Sequence, residues 1–375
     1  MRRLGLVAAV AMTLMLAASP SVASSTPHTL TTAAQAQDVD GVYFLNSKVG
    51  WASVGNSARL LMTTDGGAHW RDVSPPMLRR KGFGLASGLA GADFLSPNDF
   101  FVSVTSVPVF VSHTTDGGRK WTEVGSFPNG VGEAWVSFVN DRHGWVAIGN
   151  GAAGGSSSVT IYATMSGGAH WAVVSRSMSL GGKPGTPDNP GGCHDTGLTW
   201  SGSLRAPVLW LTGGGNVAPC VLESTDGGRR WGSDHSLAPS AGWGGTAWSP
   251  VYSSGSDGTL AVWYGTAHRA VTAAYSTTNG GVTWVEHRPP SGKQPELVDV
   301  VSSTTWFAAT GTTVYLTANG GASWSSAHAS VNFGGSQSSK TLDFVNIVDG
   351  WAVLNGHVWH TTDGGRLWAS EVLPT

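Results

Sequence analysis

The stretch Thr361-Thr362-Asp363-Gly364-Gly365-Arg366-Leu367-Trp368 decides the fold, because six similar stretches precede it in the chain. Each has the form Ser/Thr-x-Asp/Asn/Ser-Gly-Gly-x-x-Trp, and we number them as boxes 1 to 7 in chain order. The first six boxes are 63–70 (TTDGGAHW), 114–121 (TTDGGRKW), 164–171 (TMSGGAHW), 224–231 (STDGGRRW), 277–284 (TTNGGVTW) and 317–324 (TANGGASW). Consecutive box tryptophans lie 51, 50, 60, 53, 40 and 44 residues apart. A period of this size indicates an array of similar supersecondary units.

Each box predicts a tight turn between two strands. Asp-Gly and Asn-Gly favour hairpin turns because glycine accepts a positive φ without steric cost. The Ser/Thr hydroxyl and the short Asp or Asn side chain can bond nearby backbone groups. The third box position is occupied by Asp65, Asp116, Ser166, Asp226, Asn279, Asn319 and Asp363. Because three of these seven residues are not Asp, we interpret the boxes as structural rather than catalytic.

Two further strand signals precede each box. The first is an apolar patch such as 42–44 (VYF) or 342–344 (LDF), and the second often begins with Gly-Trp, as at 50–52 and 350–352. With a strand on either side of the box, each unit has four strands. Seven four-stranded antiparallel units predict an all-β, seven-bladed β-propeller over residues 38–375. A last strand near 369–373 completes the seventh blade, and the sequence shows no blade shared between the two ends of the chain. It leaves open how the ring closes, with side-chain packing between blades 1 and 7 as one way.

The first 23 residues have the pattern of a cleaved signal peptide. Arg2 and Arg3 precede an apolar run at 4–18, and Ser21-Val22-Ala23 matches a small-residue cleavage site. Residues 24–37 are small and polar and are interpreted as a flexible lead-in. No later segment has membrane-spanning length. The sequence therefore predicts a secreted or cell-envelope protein with no membrane span.

The composition narrows the possible functions. Only 12% of the residues are charged, the formal net charge is −2, and the chain contains 53 Gly and 18 Trp. Such a composition fits many short strands and gives no electrostatic basis for binding nucleic acid. The chain has no Gly-x-Ser-x-Gly elbow, no His-Glu-x-x-His and no phosphate loop. We expect a monomer without a cofactor.

The boxes and the Gly-Trp strands make the chain resemble the Asp-box (BNR) repeat β-propellers, most closely the photosystem II assembly/stability factors. That resemblance implies structural boxes at the propeller rim and a non-catalytic binding platform with an arginine-rich patch on one face. Sialidases are more distant relatives, and their Arg-Ile-Pro motif does not occur in this sequence. The function expected is recognition of a protein or glycan partner. The alternative is a glycoside hydrolase of sialidase or glucan-cleaving type.

The predicted binding surface lies on the side opposite the boxes. We call this side the loop face; it carries the turns between second and third strands and the crossings from each blade to the next. Variable loops on a rigid scaffold are where function usually lies. The candidate binding residues are Arg59, Arg79, Arg80, Lys81, Trp135, Trp243, Arg269 and Arg288. Further basic or aromatic residues expected there are Phe127, Arg176, Lys183, Lys293, Phe333 and Lys340. The alternative is that these charges only confer solubility and the aromatics cover blade edges.

Hydrolysis of a glycoside needs two carboxyl groups about 5–9.5 Å apart. The loop-face pairs that qualify by position are Glu133 with Asp195 and Glu133 with Glu296. Three carboxylates, Asp93, Asp299 and Asp343, recur on the first strand of their blades, where they either coordinate a cation or accept backbone hydrogen bonds. We favour the second role and predict no metal site.

Cys193 and Cys220 are the two cysteines of the chain. In an exported protein they are expected to pair as a disulfide that holds the longest crossing. The alternative, a metal or redox cluster at 193–195, lacks a matching second pair of ligands.

Overall fold

The computed structural model describes residues 38–79, 88–128, 134–153, 156–176, 197–203, 206–215, 219–232, 237, 244–247, 250–252, 256–266, 269–289, 295–335 and 340–374. The predicted signal peptide (1–23) and lead-in (24–37) lie outside the described residues. Among the described residues, the only helical element is a 3₁₀ turn at Pro76–Arg79. None of the described helical structure is long and apolar enough to cross a bilayer.

The strands form four-stranded antiparallel blades in chain order, which confirms the predicted seven-bladed β-propeller. Blade 1 contains β1 (Val39–Phe44), β2 (Gly50–Val54), β3 (Arg59–Thr63) and β4 (Arg71–Asp72). Blade 2 contains β5 (Gly88–Phe94), β6 (Phe100–Thr105), β7 (Val109–Thr114) and β8 (Thr122–Phe127). Blade 3 contains β9 (Ala134–Phe138), β10 (Gly144–Ala153), β11 (Ser156–Thr164) and β12 (Ala172–Arg176).

The remaining blades follow the same order with one irregularity. Blade 4 contains β13 (Gly197–Ser203), β14 (Ala206–Gly215) and β15 (Cys220–Ser224). Blade 5 contains β16 (Gly244–Ala247), β17 (Val251–Tyr252), β18 (Gly258–Thr266), β19 (Arg269–Thr277) and β20 (Val285–His287). Blade 6 contains β21 (Leu297–Val300), β22 (Trp306–Thr310), β23 (Thr313–Thr317) and β24 (Ser325–His328), and blade 7 contains β25 (Thr341–Phe344), β26 (Gly350–Leu354), β27 (His357–Thr361) and β28 (Ala369–Ser370).

Blades 4 and 5 are joined more tightly than the other neighbours. The end of β14 pairs with β16, so one continuous sheet runs through both blades. The first strand of blade 5 is divided into β16 and β17, which both pair with β18. At the outer edge of blade 4, the amides of Gly232 and Leu237 donate to the carbonyls of Glu223 and Pro219 at 2.7 and 2.9 Å, and so continue the sheet beside β15.

Aromatic stacking holds neighbouring blades together. The phenylalanine that ends a first strand lies flat against an aromatic residue of the preceding blade. In the pairs Trp351–Phe44, Phe101–Phe138 and Phe307–Phe344 the ring centroids are 3.5 Å apart and nearly parallel. The Gly-Trp pattern has the same cause, because a Cβ on Gly50 would lie 2.4 Å from the Phe44 ring. Glycine is therefore needed on one side of the ring and the partner aromatic on the other.

The first-strand carboxylates act as hydrogen-bond acceptors between blades. The amides of Phe138, Phe344 and Phe44 donate to Asp93, Asp299 and Asp343 at 2.5, 2.6 and 2.5 Å. In each case the carboxylate belongs to the blade before the amide. The structure thus shows the role that we favoured for these carboxylates, which is to accept backbone hydrogen bonds from the next blade.

The ring closes by packing between blades 7 and 1, a point that the sequence left open. Blade 7 is complete from its own sequence, because β28 pairs with β27. Trp351 stacks on Phe44, and its indole N–H donates to the carbonyl of Gly66 in box 1 at 3.1 Å. The amide of Val39 also donates to the carbonyl of Gly356 at 3.1 Å. Among the described strands, none from one end of the chain completes the blade at the other end.

Candidate functional site

Each box closes its turn with side-chain oxygens that bond backbone amides. In box 1 the Thr63 hydroxyl donates to Asp65 Oδ1 at 2.8 Å and accepts the Gly67 amide at 3.0 Å. Asp65 Oδ1 also accepts the His69 amide at 2.9 Å. These hydrogen bonds close the turn, and they use the hydroxyl and carboxylate oxygens that a catalytic role would require.

The same acceptor position is filled in all seven boxes. Ser166 Oγ accepts the His170 amide at 2.9 Å, and Asn319 Oδ1 accepts the Ser323 amide at 2.9 Å. The other Asp and Asn boxes make the equivalent contact to the residue four positions on, as in Asp116–Lys120, Asp226–Arg230, Asn279–Thr283 and Asp363–Leu367. An oxygen is all that the turn requires, which explains why Asp, Asn and Ser replace one another.

The box carboxylates are stabilised in their charged form. The backbone amide of His69, and then its ring, hold the pKa of Asp65 below its usual value. The amide of Lys120 does the same for the pKa of Asp116. At Asp226 and Asp363 burial opposes the effect, but amide and hydroxyl donors outweigh it and the pKa of each is lowered. A lowered pKa suits a permanent acceptor and does not suit a general acid.

The second glycine of each box is the contact with the preceding blade. A Cβ on Gly168 would lie 2.7 Å from both Val124 Cβ and the Val124 carbonyl oxygen, and its φ is +91°. Gly118 is similar, with Val73 Cβ at 2.7 Å. The indole N–H of Trp171 donates to that Val124 carbonyl at 2.7 Å. The box therefore joins two blades as well as two strands.

Three of the loop-face cations proposed as binding residues have described side chains, and all three are paired with carboxylates. Arg59 Nε lies 3.4 Å from Asp72, and Arg79 Nη2 lies 2.9 Å from the same carboxylate. Arg288 pairs with Glu286. Although burial raises it, hydrogen bonds from Ser74 and Arg79 hold the pKa of Asp72 below its usual value. These pairs reduce the positive potential that was expected on this face.

Lys340 is the centre of the crossing from blade 6 to blade 7. Its Nζ contacts Glu296 Oε2 at 2.7 Å and the carbonyls of Phe333 and Gly335 at 2.8 and 2.5 Å. The side chain is only 12% exposed. Lys340 and Glu296 therefore hold the crossing in place, so their charged groups are engaged within the protein rather than directed at a binding partner.

The expectation that Trp135 contacts a ligand is wrong. Trp135 is 6% exposed and packs in the core between blades 3 and 4, with Trp145, Leu198 and Trp231. Phe127 and Phe333, which were expected on the same face, are also buried. They pack at the seams between blades because a propeller buries both faces of each sheet.

Several predicted site residues lie outside the described part of the chain. These are Arg80, Lys81, Glu133, Lys183, Cys193, Asp195, Trp243 and Lys293. Arg269 begins β19, and its side chain is not among those described. Cys220 is buried at the start of β15, and its pairing with Cys193 stays a prediction.

A groove of about 660 Å³ lies between the outer strand of blade 2 and box 3. It is lined by residues 122–126, 166–169 and Trp171. Glu123 is the one carboxylate in this lining, so the groove does not supply the two carboxyl groups of a glycosidase. Within the described ranges, no group of three or more His, Cys, Asp and Glu residues could hold a metal ion.

Sequence reasoning missed the cations on the box side of the molecule, which we call the box face. Arg119, Lys120, Arg229 and Arg230 are exposed at the sixth and seventh positions of boxes 2 and 4. Within the described residues, none of the four is ion-paired. The signal was available, because boxes 1, 3, 5 and 6 make the same turn with Ala or Val at the sixth position.

Comparison with known proteins shows similarity at the level of fold. No protein-family model matches the chain, and no curated protein sequence matches it. YCF48 from Cyanidioschyzon merolae is similar with a TM-score of 0.55 and 16% identity, over 88% of this chain and 94% of that one. Virginiamycin B lyase from Staphylococcus aureus has a TM-score of 0.52 and 11% identity, over 87% and 95% of the two chains.

An ancestral GH74 enzyme is also similar, with a TM-score of 0.50 and 13% identity over 87% of this chain and 44% of that chain. At 16% identity the similarity to YCF48 shows the propeller fold, and the resemblance to one branch of Asp-box propellers stays a prediction. Because a lyase and a glycoside hydrolase share the same architecture, the fold alone does not choose between binding and catalysis.

Proposed function

We propose that this chain is an exported, non-catalytic propeller that recognises a protein or glycan partner through its loop face. The observation that carries the proposal is the use of the boxes. All seven third positions bond backbone amides within their own turn, and the second glycines contact the preceding blade. The third positions and second glycines of the boxes are thereby committed to the scaffold, and the variable crossings are available for recognition.

The paired charges of the loop face narrow the candidate surface. Arg59, Arg79 and Arg288 each face a carboxylate, so they order their loops more than they attract an anion. The proposal therefore relies on the remaining basic residues of the crossings, Arg80, Lys81, Arg176, Lys183 and Lys293, of which Arg176 is described and exposed.

Lysine footprinting tests which face is used, because the two faces carry different lysines. The crossings contain Lys81, Lys183 and Lys293, whereas the box face contains Lys48 and Lys120. The protein is incubated with a cell-envelope extract of its source and labelled with an amine-reactive reagent. We expect Lys81, Lys183 or Lys293 to be protected while Lys48 stays reactive. Unchanged labelling of all three crossing lysines would remove the loop face from consideration.

The alternative function, a glycoside hydrolase, is favoured only by the architecture shared with the GH74 enzyme. Incubation with a panel of sialosides and plant glucans decides it. We expect no turnover. Turnover that Glu296→Gln or Glu133→Gln abolishes would establish the hydrolase in place of the binding platform.

A further inference from the structure

The sixth and seventh box positions do not require one particular side chain. The carboxylate of Asp116 accepts the amides of Arg119 and Lys120 at 3.0 and 2.8 Å, so its bonds to these two residues use only their backbone. In the seven boxes these positions read Ala-His, Arg-Lys, Ala-His, Arg-Arg, Val-Thr, Ala-Ser and Arg-Leu. The turn forms with each of these residue pairs, so folding alone does not explain why boxes 2 and 4 carry two basic residues.

The two basic pairs are built alike. Arg119 Nη1 donates to the carbonyl of Asp116 at 2.8 Å, and Arg229 Nη1 donates to the carbonyl of Asp226 at 2.9 Å. One nitrogen of each guanidinium is thus anchored to the turn. The other guanidinium N–H groups make no hydrogen bond within the described residues. An anchored guanidinium loses little freedom when it binds a carboxylate or a sulfate, because its planar fork is already oriented.

Box 3 lies between the two pairs and adds no carboxylate, because its third residue is Ser166. The neighbouring turn of blade 3 exposes Arg142 beside Asp141. The exposed acidic side chain of Glu123 borders the same sector. By contrast, boxes 5 and 6 carry no charged residue at any position. Five exposed cations of the box face, Arg119, Lys120, Arg142, Arg229 and Arg230, therefore lie over blades 2 to 4, where Asp116 and Asp226 lie beside the two pairs. Lys48 of blade 1 and Arg366 of blade 7 are the exposed box-face cations outside this sector among the described residues.

We propose that the box face of blades 2 to 4 binds an anionic polysaccharide through Arg119, Lys120, Arg229 and Arg230. A polymer with repeated sulfate or carboxylate groups can engage both basic pairs at once, and the rigid ring fixes their separation. Arginine also binds both anions in a bidentate geometry. This inference goes beyond the proposed function, because it adds a second binding surface on the box face.

Dextran sulfate and neutral dextran are suitable probes, with binding measured by calorimetry at low and at moderate salt. The variants are Arg119→Gln/Lys120→Gln, Arg229→Gln/Arg230→Gln and the combination of all four. The matched control is Arg79→Gln/Arg288→Gln, which removes two cations from the loop face. Unfolding midpoints of the box variants are expected to match the wild type, because the backbone amides of the turn are retained.

We expect each box double variant to lose about tenfold in affinity for dextran sulfate, since each removes charge-assisted contacts. The combined variant should lose more, the control should bind within about twofold, and raised salt should weaken all binding. Absence of wild-type binding, equal losses in the control, or equal binding of neutral dextran would overturn the inference. Tighter binding of poly-glutamate would assign the surface to an acidic protein instead. Crossing lysines protected in the footprint without dextran sulfate binding would leave the proposed function standing and remove this site.

Discussion

The two faces of the propeller use their charges in opposite ways. On the loop face, Arg79, Arg288 and Lys340 are folded against Asp72, Glu286 and Glu296. On the box face, Arg119 and Lys120 make no ion pair within the described residues. The difference follows from what holds each loop, because the boxes are closed by backbone amides and the crossings have to be tied by side chains.

This contrast shows where a repeat protein has freedom to vary its surface. A turn that is fixed through its backbone can carry any residue at its outer positions, whereas a crossing fixed by side chains cannot change its charges without cost. The box face therefore has a regular backbone and also accepts different side chains at its outer positions.

The largest effect is expected for Gly168→Ala in box 3, compared with Gly227→Ala in box 4. Both glycines have a positive φ, +91° at Gly168 and +75° at Gly227, so both substitutions strain the backbone. The added Cβ of residue 168 would also meet Val124 at 2.7 Å, while that of residue 227 would meet only Arg229 Nη1 at 3.6 Å. We expect losses of about 3 and about 1 kcal/mol in unfolding free energy, measured by urea titration. Equal losses would show that the blade contact is unimportant.

The next effect is expected at the inter-blade carboxylates. Asp93→Ala leaves the buried amide of Phe138 without its acceptor at 2.5 Å, so we expect a loss of about 2 kcal/mol. Asp93→Asn keeps an oxygen in place and should recover part of this loss. Asp226→Ala, in an exposed box, serves as the comparison and should cost less. A larger loss at Asp226 than at Asp93, in the same urea titration, would reverse the ranking of the two kinds of carboxylate.

A smaller and local effect is expected for Lys340→Met. The substitution removes the contacts to Glu296 and to two carbonyls, so the crossing at 329–335 should exchange its amide hydrogens faster. The loss in unfolding free energy should be about 1 kcal/mol. Lys120→Met, on the box face, is the matched control and should leave exchange unchanged. Hydrogen exchange followed by mass spectrometry reads both, and identical profiles would show that Lys340 does not hold the crossing.

The sequence predicted the blades because its signals are local and repeated. The Asp-Gly-Gly turns, the Gly-Trp strands and the spacing of the tryptophans each depend on residues within one blade. The completeness of blade 7 followed from the same count, since a last strand was visible near residue 369, but the mode of ring closure did not. Side-chain roles that need only a neighbouring amide, such as that of Asp343, were also anticipated.

The predicted site was less accurate, because burial and ion pairing depend on distant residues. Trp135 belongs to a strand next to the blade 4 core, and no local pattern distinguishes it from an exposed loop aromatic. The Lys340–Glu296 pair joins residues 44 positions apart in two blades. The irregular first strand of blade 5, divided into β16 and β17, likewise has no clear signal in the sequence.

The central claim is that the boxes are structural and use their acidic residues only as hydrogen-bond acceptors. The most direct test is the urea midpoint, from pH 7 to pH 3, of a variant that changes Asp65, Asp116, Asp226 and Asp363 to Asn. Boxes 5 and 6 already use Asn, so at pH 7 the variant should unfold close to the wild type. The folded pKa of all four Asp residues is lowered, so their stabilisation is present above about pH 4 and is lost as pH falls through the folded values. We therefore predict that the urea midpoint of the variant falls less on acidification than that of the wild type. A variant that fails to fold at pH 7, or that follows the wild-type acid curve, would contradict the structural role of the boxes.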